Sequence, residues 1–192
     1  MPIAEKRPVN LYMEANPNPN SMKFVANFIL VPEGASYDYP DKESASEVPL
    51  AKELFSLPYV ERVFFMSNFV TVTKDENKEW VEIREEIKKV IQSYLESGKP
   101  LIEKPVPQEV YDESDSETVK KIKTILDEYI RPAVEQDGGA ITFHSFQNGN
   151  VSVLLQGSCS GCPSSTVTLK AGIENLLKRM VPEVETVEAI DG

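Results

Sequence analysis

The sequence predicts an α+β protein built as two small α+β domains, residues 1–98 and 118–192, joined by a proline-rich acidic linker at 99–117. Three observations predict it. A chain of 192 residues suits one medium domain or two small ones. In both halves, apolar residues recur at period two in some stretches and at helical spacing in others. Between the halves, Pro100, Pro105 and Pro107 precede Glu109, Asp112, Glu113, Asp115 and Glu117, a composition that stiffens the chain and keeps it solvated.

In the first half, Leu11, Met13 and Ala15 alternate with polar neighbours, which reads as a strand. Asn16-Pro17-Asn18-Pro19-Asn20 breaks it, because proline lacks a donor and asparagine favours turns. Alternation resumes from Met22 to Leu30, and the two strands read as an antiparallel pair. Residues 32–47 are polar and punctuated by Pro32, Gly34 and Pro40, so they read as irregular. A short helix follows from Pro49 to Phe55, with proline suited to its first turn. Val60 to Met66 and Phe69 to Thr73 read as strands around a two-residue turn, Ser67-Asn68. Asp75 or Asn77 is expected to cap a helix carrying Trp80, Ile83, Ile87, Ile91 and Tyr94, which Gly98 and Pro100 end. The aromatic residues of this half are read as core, and no catalytic constellation is visible in it. The linker's nineteen residues, fully extended, reach roughly 60 Å at about 3.3 Å each.

The second half opens on Ser114-Asp115-Ser116-Glu117, read as a capping box in which Ser114 and Glu117 stand three apart. Val119, Ile122, Ile125, Leu126 and Ile130 form a helical stripe, with a kink expected at Pro132 and an end at Gly138-Gly139. Two strands, Ala140 to Phe146 and Val151 to Gln156, flank Asn148-Gly149, the strongest short hairpin signal. A helix from Pro163 to Val181 and a strand from Val184 to Ile190 complete a helix-strand-strand-helix-strand order.

A net charge of −11 argues against nucleic acid and against an anionic membrane surface, both of which call for basic faces. No apolar run approaches the ~20 residues that span a bilayer. The first eight residues carry neither a signal core nor the character of a transit peptide, so a cytosolic protein is expected.

The chemistry centres on Cys159 and Cys162, the only cysteines in the chain, placed two residues apart where a strand gives way to a helix. In a reducing compartment such a pair is more often metal-binding or redox-active than a structural disulfide. Gly157 and Gly161 let the backbone turn around them, and the dipole of the following helix is expected to lower the thiol pKa. Structural zinc and cubane iron–sulfur sites want four protein ligands. One chain supplies two thiols and one histidine, His144, whose strand position reads as exposed rather than liganding. A two-fold pair of chains would supply four thiolates. Three readings of the residues stand: an iron–sulfur site, a redox dithiol, and a zinc site shared by two chains.

The run Gly157-Ser158-Cys159-Ser160-Gly161-Cys162-Pro163-Ser164-Ser165-Thr166-Val167-Thr168-Leu169-Lys170 closely resembles the C-terminal domain of the NifU-like (Nfu) proteins. Ile130-Arg131-Pro132, Asp137-Gly138-Gly139 and Val181-Pro182-Glu183-Val184 add to the resemblance. Asn16 through Phe24, Val63-Phe64-Phe65 and Phe69 through Thr73 resemble the Nfu N-terminal domain. The resemblance implies a non-enzymatic carrier of a [4Fe–4S] cluster, with Cys159 and Cys162 as its cluster ligands. It implies a homodimer when loaded, with apo iron–sulfur proteins as clients and an upstream scaffold as donor. A [2Fe–2S] form in another state is left open. Hydroxyls of Ser160, Ser164 and Ser165 are candidates to stabilise the cluster, and residues 1–98 are a candidate docking module. Ala140 departs from the family, whose members often carry Asp there.

Overall fold

The computed structural model describes residues 8–102 and 114–191. The chain divides into two compact units, Met1–Pro107 and Gln108–Gly192, a division that falls inside the stretch read as linker. Most of that stretch, 103–113, lies outside the described residues, as do the first seven residues on which the cytosolic expectation rests. Among the described residues no helix is long and apolar enough to cross a membrane.

The first unit runs β1 (Leu11–Ala15), β2 (Ser21–Ala26), β3 (Ser36–Tyr39), α1 (Pro49–Phe55), β4 (Val60–Met66), β5 (Phe69–Lys74) and α2 (Trp80–Glu96). The strands form one antiparallel sheet in the order β1-β2-β5-β4-β3. Period-two alternation places Met13, Phe24, Val70, Phe65 and Tyr37 in register as one row across all five strands. That row joins Leu50 and Leu54 of α1 and Ile83, Ile87 and Ile91 of α2 in a single hydrophobic cluster. The Asn-Pro loop is held by its own side chains. Asn16 Oδ1 accepts from the Asn18 N–H and the Ser21 hydroxyl at 3.0 and 2.8 Å, and the Trp80 indole donates to the Pro19 carbonyl.

Three expectations for this unit change. Strand β3 lies within the stretch read as irregular; four residues at a sheet edge leave little periodicity to read, and an Asp38–Arg62 ion pair helps fasten them to β4. Strand β2 stops at Ala26, because Asn27 turns its amide to Pro8 and the chain then donates from Leu30 and Val31 to the Ser67 carbonyl. The N-cap of α2 is Glu79, with no side-chain cap, while Asp75 forms a turn by accepting the Asn77 N–H at 2.7 Å.

The second unit runs α3 (Glu117–Ile125), a π-helical turn (Leu126–Ile130), α4 (Arg131–Gln136), β6 (Gly139–Gln147), β7 (Asn150–Gly157), α5 (Pro163–Met180) and β8 (Thr186–Asp191). The capping side chain of α3 is Ser116, accepting the Val119 N–H at 3.2 Å, rather than Ser114. The break expected at Pro132 is a wider turn just before it. Pro132 has no N–H to give the carbonyl four residues back, and the Arg131 N–H reaches five residues back to Leu126. β6 and β7 pair antiparallel, β7 and β8 pair parallel, and α5 makes the crossover that a parallel pair requires. Ile122, Val153, Leu155, Ile173, Leu177 and Val187 are buried together beneath it. Ala140 is buried in β6 opposite Gln156.

The β6–β7 turn has the expected conformation, with φ of 49° at Asn148 and 78° at Gly149. Replacing Gly149 with alanine forces a side chain into that left-handed position and against Glu185, 2.8 Å from its Cγ. The substitution should cost about 1–2 kcal/mol, seen as a lower urea midpoint. In α5, where a Cβ on Gly172 meets nothing within 4 Å, Gly172→Ala should instead gain about 0.5–1 kcal/mol.

Candidate metal centre

Strand β7 leaves the sheet at Gly157, whose φ of 65° turns the chain away. Two bonds then fix the loop to the α4–β6 corner: the Ser158 N–H donates to the Gly138 carbonyl at 3.3 Å, and the Ser158 hydroxyl to the Asp137 carbonyl at 2.5 Å. The Ser160 N–H closes a tight turn on the Gly157 carbonyl, and Gly161, with φ of 74°, aims the chain into α5. Cys162 is the N-cap of that helix in extended conformation, with Pro163 directly after it. Thr166 ties both cysteines to the first turn. Its N–H donates to the Cys162 carbonyl at 3.0 Å and its hydroxyl to the Cys159 carbonyl at 3.3 Å.

Both thiols are buried, each residue 7% exposed, and neither is in a disulfide. Cys159 belongs to the hydrophobic cluster of the unit. Burial pushes its thiol up from 9.0 to about 11; the charges of Asp137 and Cys162 add to this, and the hydrogen-bond contact between its sulfur and the Ser158 hydroxyl, 4.0 Å apart, opposes it. The expected lowering by the helix dipole therefore does not govern Cys159, whose desolvation outweighs it.

The structure brings Cys159 and Cys162 to one place and leaves His144 out of it. His144 is exposed beside a bulge in β6, five residues from Gly139 and so roughly 16 Å along the strand. Among the described residues no three His, Cys, Asp or Glu side chains gather as metal ligands. The pair fits half of a four-thiolate site: two soft donors at a helix start, where backbone N–H groups lack intrahelical acceptors and negative charge is favoured. Of the serines expected near the site, Ser160 is buried there, while the side chains of Ser164 and Ser165 lie outside those described. Ser158 and Thr166, which anchor the loop, were not singled out by the sequence; the Ser158 contact spans 21 residues and has no local pattern.

The family model described as "Scaffold protein Nfu/NifU N terminal" matches residues 11–98, and the one described as "NifU-like domain" matches 122–188. The chain belongs to the Nfu/NifU family. A Drosophila persimilis protein named as a mitochondrial NFU1 iron–sulfur cluster scaffold homolog is 44% identical over 96% of this chain and 66% of its own length. A Drosophila yakuba protein of the same name is 43% identical over 99% of this chain and 68% of its own. The chain thus spans about two thirds of the length of these Nfu relatives. The solution NMR structure of a NifU-like protein from Saccharomyces cerevisiae is 24% identical, covers 52% of this chain and 89% of its own, and has a TM-score of 0.44.

These names overturn the cytosolic expectation, since the relatives are called mitochondrial. The expectation rested on the composition of the first few residues, which does not determine a compartment.

The high thiol pKa of Cys159 has a measurable sign. Below pH 9 folded and unfolded chains both hold the proton, and its contribution to stability is complete. Between pH 9 and about 11 the unfolded chain loses it first, so stability falls as pH rises. Urea midpoints across that window should fall further for the native chain than for Cys159→Ala. At pH 7.5, Cys159 should react with iodoacetamide roughly 100-fold more slowly than a cysteine in an unstructured peptide, as its smaller thiolate fraction dictates.

Proposed function

We propose that this Nfu-family chain is an iron–sulfur cluster carrier, in which two copies hold one [4Fe–4S] cluster through Cys159 and Cys162 of each and pass it to apo-proteins. The observation that carries this reading is the half-site: two thiols at one helix start, with no third ligand gathered beside them among the described residues. The names of the relatives as iron–sulfur cluster scaffold homologs support it.

A two-fold pairing supplies the missing thiolates. With four thiolates the cluster carries a charge of about −2, which the N-terminal end of α5 favours from each side. The cluster is cargo. Release proceeds by ligand exchange, as client thiolates replace those of the carrier, and this asks for no bond-making active site. The protons of the bound thiols leave on loading, so loading is favoured by rising pH. Residues 118–192 carry the cluster, 1–98 dock clients or partners, and 99–117 link the two. The high pKa of Cys159 makes that thiol a poor attacking group in a redox-dithiol alternative, since the thiolate is the nucleophile in exchange.

Native mass spectrometry of anaerobically reconstituted protein tests the reading. A dimer heavier than two chains by four irons and four sulfides is expected. A dimer holding one zinc and no sulfide, or a monomer two hydrogens lighter, would overturn it. Cys159→Ser and Cys162→Ser should each abolish stable cluster binding and leave the circular-dichroism spectrum unchanged.

A further inference from the structure

We infer that Gly139 is a positioning residue for Cys159, the absent side chain at the start of β6 forming the seat in which the ligand sulfur rests while no cluster is bound. The inference deepens the carrier reading, on which it rests for the role of Cys159 as a ligand.

Gly139 is buried and stands opposite Gly157 in the β6–β7 ladder, so the last pair before the cysteine loop carries no side chain on either strand. A Cβ on Gly139 would lie 2.8 Å from Cys159 Sγ, 3.2 Å from Cys159 N and 2.7 Å from the Gln156 carbonyl oxygen. The demand for glycine here is one of space. Gly138 and Gly157 need glycine for positive φ, at 83° and 65°, and Gly139 does not. Its neighbours meet the loop as well: Gly138 accepts the Ser158 N–H, and Asp137 accepts the Ser158 hydroxyl. On the other side, the Thr166 hydroxyl holds the Cys159 carbonyl. The backbone on both sides of the sulfur is therefore tethered, and the volume left for the sulfur is the one glycine vacates. A side chain at 139 would push Sγ out of the cluster of apolar residues and away from its starting point for engaging iron.

The test uses reduced, cluster-free full-length protein. Alkylation by N-ethylmaleimide is followed at each cysteine separately by peptide mass spectrometry, in the native chain and in Gly139→Ala. Cys159 should react at least ~10-fold faster in the variant while Cys162 changes less than ~2-fold, because only one thiol loses its shelter. An unchanged Cys159 rate overturns the inference, and so does a parallel rise at both thiols, the mark of general loosening. A thermal double-mutant cycle separates the sulfur from the Gln156 contact. The loss of Tm from Gly139→Ala should shrink when Cys159→Ala is also present; an equal loss in both backgrounds overturns the inference. If Gly139→Ala does not fold, recovery of folding in the double variant supports the seat, and failure to recover overturns it. These readouts need no cluster. A native chain that binds none on reconstitution would remove the carrier reading and leave the seat standing.

Discussion

Strand β8 lies parallel to β7, and a parallel pair can be joined only by carrying the chain back along the sheet. Helix α5 makes that return, and its buried Ile173 and Leu177 fasten it to the core that Val153 and Leu155 of β7 build. The junction between β7 and α5 is thereby fixed at both ends: by a strand in the middle of a three-stranded sheet, and by a helix packed across it. Cys159 and Cys162 stand in that junction, and their placement follows from the topology more than from any contact of their own. Hydrophobic burial of α5 sets where the thiols are, and the glycines and Ser158 set how they sit.

Magnitudes decide how such thiols behave. A charge at a helix end gains about 0.3–1 kcal/mol from the dipole. Moving a thiol from 9.0 to about 11 corresponds to a penalty on the thiolate on the order of 3 kcal/mol. Desolvation wins, and Cys159 is held as a thiol in the cluster-free chain. Metal binding is larger still: thiolate-rich structural zinc sites reach roughly 10–16 kcal/mol in small peptides. A buried thiol of this kind is a poor nucleophile toward disulfides and remains an adequate ligand for a strongly bound metal. Burial thus weighs against Cys159 as an attacking thiol while leaving it able to ligate a metal.

Much of this was legible in the sequence where a local rule has a unique structural answer. Asn148-Gly149 specified its turn because few residue pairs tolerate positive φ at both positions, and the long stripe from Ile83 to Tyr94 specified α2. Rules with two local solutions misled. Ser114 and Ser116 could each cap α3, and the choice of Ser116 depends on where the chain enters the helix, which spacing does not record. Pro132 announced a break but not its form, since a lost hydrogen bond can be absorbed as a kink or as a wider turn. Strand β3 was illegible because its pairing and its Asp38–Arg62 contact are both non-local. The cysteine pair was conspicuous as a motif, yet the sign of the Cys159 pKa was not, because burial is a property of packing and the helix start is visible in the letters.

The glycines around the site show why a motif can be read while its mechanism stays hidden. Gly138, Gly157 and Gly161 all adopt positive φ, and a sequence rich in glycine around two cysteines already points to a sharply turning backbone. Gly139 obeys a different constraint, set by atoms far along the chain, the Gln156 carbonyl oxygen at 2.7 Å and the Cys159 sulfur at 2.8 Å from where its Cβ would stand. Two glycines side by side thus answer to different physics, one to its own dihedral angle and the other to the space taken by a carbonyl oxygen and a sulfur across the ladder. The second kind of demand links β6, a strand that carries neither cysteine, to Cys159. On the carrier reading proposed above, such a seat would give Cys159 a resting geometry of its own: a sulfur that fits against a neighbouring backbone would be ordered before a second copy arrived, and less conformational freedom would be lost on closing a cluster between them.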